Sequence, residues 1–177
     1  MSVRTARIAD ASAMARAFVD TFRSAHRDQM PNWLLETRTY ETSERGWVET
    51  NAELAASGEP KECVLLAEGE AGEIFGVAMC GPAKPWDDDR AAREVRPTGE
   101  VYVLYVDRGY QRQGIGRKLA EGMALFLSGR GSRRLLIGVL AANDPARRYY
   151  EAFGGRLIGQ RPFDDEGVLL DEVVYVW

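Results

Sequence analysis

The densest chemistry in the chain lies in residues 111–116, where Gln111, Arg112, Gln113, Gly114, Ile115 and Gly116 separate a β-prone run from a run of helical period. Glycines at 114 and 116 let a ligand approach the main chain closely, and the unpaired N–H groups of a helix's first turn, with its dipole, attract an anion. Arg112, Arg117 and Lys118 add positive charge at that end of the helix, against the dipole's preference for acidic residues there, which suits an anionic guest such as a pyrophosphate. The same residues also fit an ordinary glycine-assisted turn with solvated arginines. A Walker loop needs GxxxxGK followed by Ser or Thr, and a Rossmann turn needs GxGxxG, whereas Leu119 stands at the third glycine position here. ATP and NAD are therefore poor guests.

Positioning this turn requires a strand before it and a helix after it. Residues 100–106 are strand-like, and Ile115, Leu119, Met123 and Phe126 follow the helical period. Upstream, residues 3–8 read as a strand, and Asp10 can cap a helix carrying Met14, Phe18, Phe22 and Ala25. Residues 27–60, with Trp33 and Trp47, read as one or two short helices. Residues 63–67 and 74–80 form a hairpin, and 81–99 a long polar loop containing Trp86, Asp87, Asp88, Asp89 and Pro97. Downstream come a strand over 134–141, a helix over 143–153, and strands over 156–160 and 168–177 joined through Asp164, Asp165, Glu166 and Gly167. The fold class this predicts is α/β (α+β), a mixed sheet with helices on both faces, in one domain over 1–177.

A net charge of -4 and a pI near 5.2 argue against general nucleic-acid binding. No run approaches the roughly 20 apolar residues of a membrane helix, and the first residues lack the apolar centre of a secretory signal, so the expected location is cytoplasmic. Cys63 and Cys80 lie in apolar runs without metal-ligand spacing and read as buried free thiols; no metal is expected.

The run LYVDRGYQRQGIG over 104–116 resembles the cofactor segment of the GNAT superfamily of N-acetyltransferases, whose core Q/R-x-x-G-x-G/A is met by Gln111, Gly114 and Gly116. The resemblance implies that acetyl-CoA is the co-substrate, its pyrophosphate on the main chain of this turn and its pantetheine arm along the backbone of Leu104 and Val106. It also implies that the two central parallel strands, 100–106 and 134–141, splay apart. Arg108 stands where many relatives have proline. A second run, NDPARRYYEAFG over 143–154, resembles the family's N-x-x-A-x-x-F/Y-Y-E-x-x-G helix, and Gly155 replaces a frequent aromatic residue. At about 100° per residue, Asn143, Ala146 and Tyr150 share one helical face, which the resemblance turns toward the cofactor. Tyr149 and Phe153 form an adjacent stripe better suited to the core.

Attack of an amine on a thioester expels a thiolate that benefits from a proton donor. The resemblance gives that role to Tyr150; packing in the core is its ordinary alternative. The amine must itself lose a proton first, and Glu100, fourteen positions before Gly114, has the offset of the catalytic glutamate in some histone-acetylating members. On a period-two strand Glu100 shares a face with Tyr102, Leu104 and Val106, where desolvation would make it a base; the alternative is a solvated charge at a strand start. His26, the one histidine, could sit at the rim of an acceptor pocket or be structural. Asp87 to Asp89 lack calcium-loop spacing, and the tryptophans are packing residues or parts of a lid. The partners implied are acetyl-CoA and an amine acceptor, favoured here as a small cationic amine, with a protein N-terminus or lysine, or a CoA-binding regulatory role, as alternatives. A homodimer is compatible with this reading.

Overall fold

A computed structural model describes residues 1–83 and 99–177. Trp86, Asp87, Asp88, Asp89 and Pro97, read above as a polar loop, lie outside the described residues. The described strands are β1 (Ser2–Thr5), β2 (Cys63–Glu68), β3 (Ile74–Gly81), β4 (Gly99–Val106), β5 (Leu135–Leu140), β6 (Arg156–Asp165) and β7 (Val168–Val176). They form one sheet in the order β1-β2-β3-β4-β5-β7-β6. The helices are α1 (Ala11–His26), α2 (Asn32–Thr37), α3 (Tyr40–Ala56), α4 (Ile115–Ser128) and α5 (Asp144–Ala152).

Both faces of the sheet are covered, which is why its inner strands read as continuous apolar runs. On β2, Cys63, Leu65 and Ala67 point into a core shared with Leu119 and Met123 of α4 and Tyr150 of α5. Val64 and Leu66 alternate to the other face, against Met14 of α1 and Trp47 of α3. Cys63 and Cys80 are free, buried and directly opposite in register, as the sequence predicts for free thiols.

The parallel pair β4–β5 holds only from Gly99↔Leu135 to Val101↔Ile137. Beyond Val101, β4 keeps β3 as its neighbour while its other edge opens away from β5. This is the expected splay.

Four local expectations are corrected. Asp10 precedes α1 but does not cap it: its carboxylate accepts from the Arg7 N–H at 2.7 Å and pairs with Arg4 at 2.7 Å. The region 27–60 holds a helix of 17 residues, not only short ones; Thr39, which accepts from the Thr42 N–H, starts it. Strand β6 extends to Asp165, leaving only Glu166 and Gly167 as the turn, with φ of 54° and 82°. Positive φ at both positions is the signature of a tight hairpin turn, and Pro162 is tolerated inside β6 because β6 is an edge strand.

The fourth correction bears on the site. In the β3–β4 register Met79 pairs with Val103 and Cys80 with Val101, so Tyr102 is the extra residue of a bulge. Val101, Leu104 and Val106 therefore face the α4 core, while Val103 and Tyr105 pack on the α1 side. Glu100 does not share a face with Leu104 and Val106, because the bulge reverses the parity between them.

Candidate active site

The turn before α4 is built for main-chain access. Gly114 occupies the N-cap at φ 81°, a left-handed conformation that only glycine adopts without strain, and Arg112 also has positive φ, 62°. No side chain caps the helix and no acid lies in its first turn; the Lys118 N–H donates to the Gly114 carbonyl at 3.0 Å. The N–H groups of Ile115, Gly116 and Arg117 thus lack an intrahelical acceptor, the ordinary condition of an anion-binding helix end. Arg112 and Arg117 are exposed beside them, Arg117 with a surface pair to Glu121 at 2.8 Å.

The two glutamines have structural work. Gln111 donates through Nε2 to the Val106 carbonyl at 2.9 Å, tying the turn to the end of β4, and Gln113 reaches the Gly109 carbonyl at 3.4 Å. Arg108, in the place of the family's proline, opens a single 3-10 turn that the Asp107 carboxylate caps from the Gly109 N–H, at 2.8 Å.

Between α4 and α5 lies a cavity of about 370 Å³, floored by Val101, Leu104 and Ile137 and walled by Ala120, Tyr149 and Tyr150. Its floor is the mouth of the splay. Asn143 is the N-cap of α5, its Oδ1 accepting from the Ala146 N–H at 3.2 Å; the helix begins one residue later than its pattern implies. Tyr150 is 8% exposed and packs on Trp177 and Tyr175 at ring separations of 5.9 and 6.0 Å. Burial pushes its phenol well above the ordinary tyrosine pKa, so it stays protonated.

The assignment of Tyr149 to the core is corrected. It is 37% exposed, stacks on Phe153, and holds its hydroxyl 3.2 Å from where a Cβ on Gly116 would lie. The space is set by Trp177: a Cβ on Gly155 would come within 2.5 Å of the Trp177 ring, whose Nε1 donates to the Phe153 carbonyl at 3.0 Å. The indole occupies the room of the aromatic that Gly155 lacks.

Glu100 is 2% exposed, and its Oε1 accepts from Arg161 Nη2 at 2.7 Å. The same guanidinium donates through Nε to Glu172 at 2.8 Å. Sequence reading missed Arg161 and Glu172. Recognising Glu166 and Gly167 as a two-residue turn would have placed them opposite each other across β6 and β7. His26 is buried, not at a rim: its Nε2 lies 3.0 Å from the Tyr105 hydroxyl and its Nδ1 3.2 Å from Gln29 Oε1. No cluster of metal ligands is found among the described residues, and none of their helices is long and apolar enough to cross a membrane.

Comparison with known proteins bears on this geometry. Residues 20–155 match the model of the acetyltransferase (GNAT) family. An uncharacterised N-acetyltransferase of Bacillus subtilis, YuaI, is 28% identical over 177 residues, covering all of this chain and 92% of its own length. The spermine/spermidine N(1)-acetyltransferase of the same organism is 27% identical over 105 residues, 58% of this chain and 65% of that protein. The fold matches that of yncA, a proposed acetyltransferase of Salmonella typhimurium solved with its cofactor acetyl-CoA, with a TM-score of 0.68 at 23% identity over 100% of this chain and 92% of that one.

Proposed function

The chain belongs to the acetyltransferase (GNAT) family and is an acetyl-CoA-dependent N-acetyltransferase, and on that premise we propose that it moves the acetyl group directly to a small cationic amine. The observation that carries the reading is the short parallel pairing of β4 and β5. Beyond the last rung, Val101↔Ile137, the two strands part and leave a gap beside the cavity under α4 and α5.

In this reading the pyrophosphate sits on the N–H groups from Gly114 to Arg117, with Arg112 and Arg117 as mobile counter-charges. The pantetheine arm runs along the open edge of β4 past Leu104 and Val106, and the thioester reaches the gap. Gln111 and Gln113 shape the turn, Ile115 anchors α4 in the core, and Asn143 fixes the start of the helix that presents Tyr150. A free N–H near Val106 would polarise the thioester carbonyl as its oxygen gains charge. Tyr150, held protonated by burial, donates to the departing thiolate.

Glu100 has two readings. As the base it would take a proton from the amine; as an anchor it holds Arg161 across the sheet, which the 2.7 Å pair and its burial favour. For the acceptor, support comes from the polyamine enzyme among the similar proteins and from the acidic β6–β7 hairpin, where Asp164 and Asp171 stand beside Asp165, Glu166 and Glu172, the last three paired with Arg38 or Arg161.

The test has two steps. At 100 times its Kd, acetyl-CoA stabilises the native state by about 2.7 kcal/mol, which for a chain of this size raises Tm by about 5–10 °C. A thiol-release screen of polyamines, other small amines, and peptides with free N-termini or lysines then identifies the acceptor. Turnover with peptides alone would replace the small amine by a protein substrate, and binding without turnover would reduce the chain to a CoA-binding module.

A further inference from the structure

This inference rests on the amine-acetylation reading and concerns how the amine loses its proton. An ammonium has no lone pair, and an amine of pKa about 10 is almost wholly ammonium at neutral pH. Tyr105 lies four residues beyond the last β4 rung paired with β5, on the α1 face, and joins Leu140 at the end of β5 in one apolar cluster with Phe22. It therefore borders the gap from the side opposite the cofactor cavity. Tyr150 borders it from the cavity side, where it lines the wall with Val101, Leu104 and Ile137.

The hydrogen bonds around His26 set a direction. Gln29 donates through Nε2 to the Ala25 carbonyl at 2.9 Å, so the atom facing His26 Nδ1 is its carbonyl oxygen Oε1. An acceptor there requires Nδ1 to carry the proton. Nε2 is then a lone pair, and the Tyr105 hydroxyl, 3.0 Å away, donates to it. The lone pairs of the Tyr105 oxygen are left to accept.

We propose that Tyr105 and His26 form a two-step path that removes the proton from the bound acceptor ammonium. One N–H bond of the ammonium breaks and its proton passes to Tyr105 Oη as the Tyr105 O–H proton passes to His26 Nε2. The electron pair stays on nitrogen and attacks the thioester carbon. The imidazolium later returns its proton to solvent. A second N–H proton replaces the one that Tyr150 gives to the thiolate, so the products are the amide, the free thiol and one released proton. Tyr105 would touch the substrate; His26 acts through it.

The charges facing the pair are compatible with this role. Among the charges, Arg38 acts most on Tyr105; Asp165 of β6, paired with Arg38, acts on both His26 and Tyr105, and Glu172 of β7, paired with Arg161, acts on Tyr105. Burial lowers the His26 pKa below its ordinary 6.5, outweighing Gln29 and Asp165, so the ring is neutral and accepting at pH 7.

His26 is the one histidine in the chain, so its ring nitrogens are assignable without ambiguity by ¹⁵N NMR of untagged protein. The expected spectrum is the Nδ1–H tautomer titrating below pH 6.5; an Nε2–H ring overturns the path without any variant being made. Kinetics supply the second arm, with kcat/KM measured from pH 5.5 to 10 using an acceptor from the screen. Tyr105→Phe and His26→Gln should each lose about 10²-fold at pH 7, keep the acetyl-CoA Kd, and regain rate as pH approaches the amine's pKa. The double variant should lose no more than either single one, because the two groups act as a unit. Loss that is equal at every pH, or wild-type rates in Tyr105→Phe, overturns the path while leaving acetylation intact. A wild-type protein that binds acetyl-CoA but acetylates no amine overturns the reading beneath it and the path together.

Discussion

The role proposed for Tyr150 rests on residue type and environment together. A phenol is a useful acid only while protonated, and burial against Trp177 and Tyr175 keeps it so, by making the phenolate costly. Tyr150→Phe keeps the ring packing and removes only the donor. We expect kcat to fall by about 10²-fold with the acetyl-CoA Kd nearly unchanged, and no recovery at high pH, since raising pH does not help protonate a leaving thiolate. Steady-state kinetics with calorimetric Kd values check this; an unimpaired variant returns Tyr150 to the core. Spacing made Tyr150 legible, but the helical wheel misplaced Tyr149. A wheel gives angles around an axis, not what fills the neighbouring space, and here the space beside Tyr150 and Phe153 is taken by Trp177, 28 residues beyond Tyr149.

At the scale of elements, the strand–turn–helix unit was readable because glycine spacing and helical period are local signals. The bulge at Tyr102 was not, because it exists only in the pairing of β4 with β3, and it decides which β4 side chains face the cavity under α4 and α5. The length of α3 was obscured because its buried positions are few, with Trp47 and Asn51 its fully buried side chains among polar neighbours. The turn itself yields a sharper test than sequence alone offers, since its two glycines differ. Gly114 is left-handed with nothing near its missing Cβ, so any side chain there adds backbone strain of about 1–2 kcal/mol to whatever it does to binding. Gly116 has no positive φ, and a Cβ would press on the movable end of Tyr149 at 3.2 Å and touch Val106 Cγ2 at an ordinary 3.9 Å. Gly116→Val should therefore weaken acetyl-CoA more than tenfold while Tm stays within about 3 °C, whereas Gly114→Val should lose binding and also about 2–8 °C of Tm. Intact binding in Gly116→Val would make this an ordinary turn.

At the scale of the whole molecule, the splay proposed to admit the thioester is also a weakness, because only three rungs join β4 to β5 among the described residues. The Arg161 side chain closes this seam from the far edge: from β6 it pairs with Glu172 on β7, passes over Gly138 on β5, and reaches Glu100 on β4. Gly138 leaves the passage open, since a Cβ there would stand 2.5 Å from Glu172 Oε2 and 2.8 Å from Arg161 Nη2. The side chain of Glu100 is 3% exposed, so removing its charge weakens one of the two carboxylate bonds that hold Arg161 and leaves the guanidinium on Glu172, a change that costs about 1.5–3 kcal/mol, or about 3–12 °C of Tm in a chain of this size. Glu100→Gln makes that change, and Gly138→Ala displaces the same guanidinium while leaving Glu100 ionisable. If the tie is the role of Glu100, both variants lose Tm, and both lose kcat/KM by a factor that is constant with pH, because the gap loses its shape. If Glu100 is the base, Gly138→Ala keeps its pH profile while Glu100→Gln keeps its Tm and recovers rate as pH rises and the amine deprotonates unaided. Melting curves and pH profiles of the two variants decide between an anchor and a base, and the buried pair with Arg161 leads us to expect the anchor.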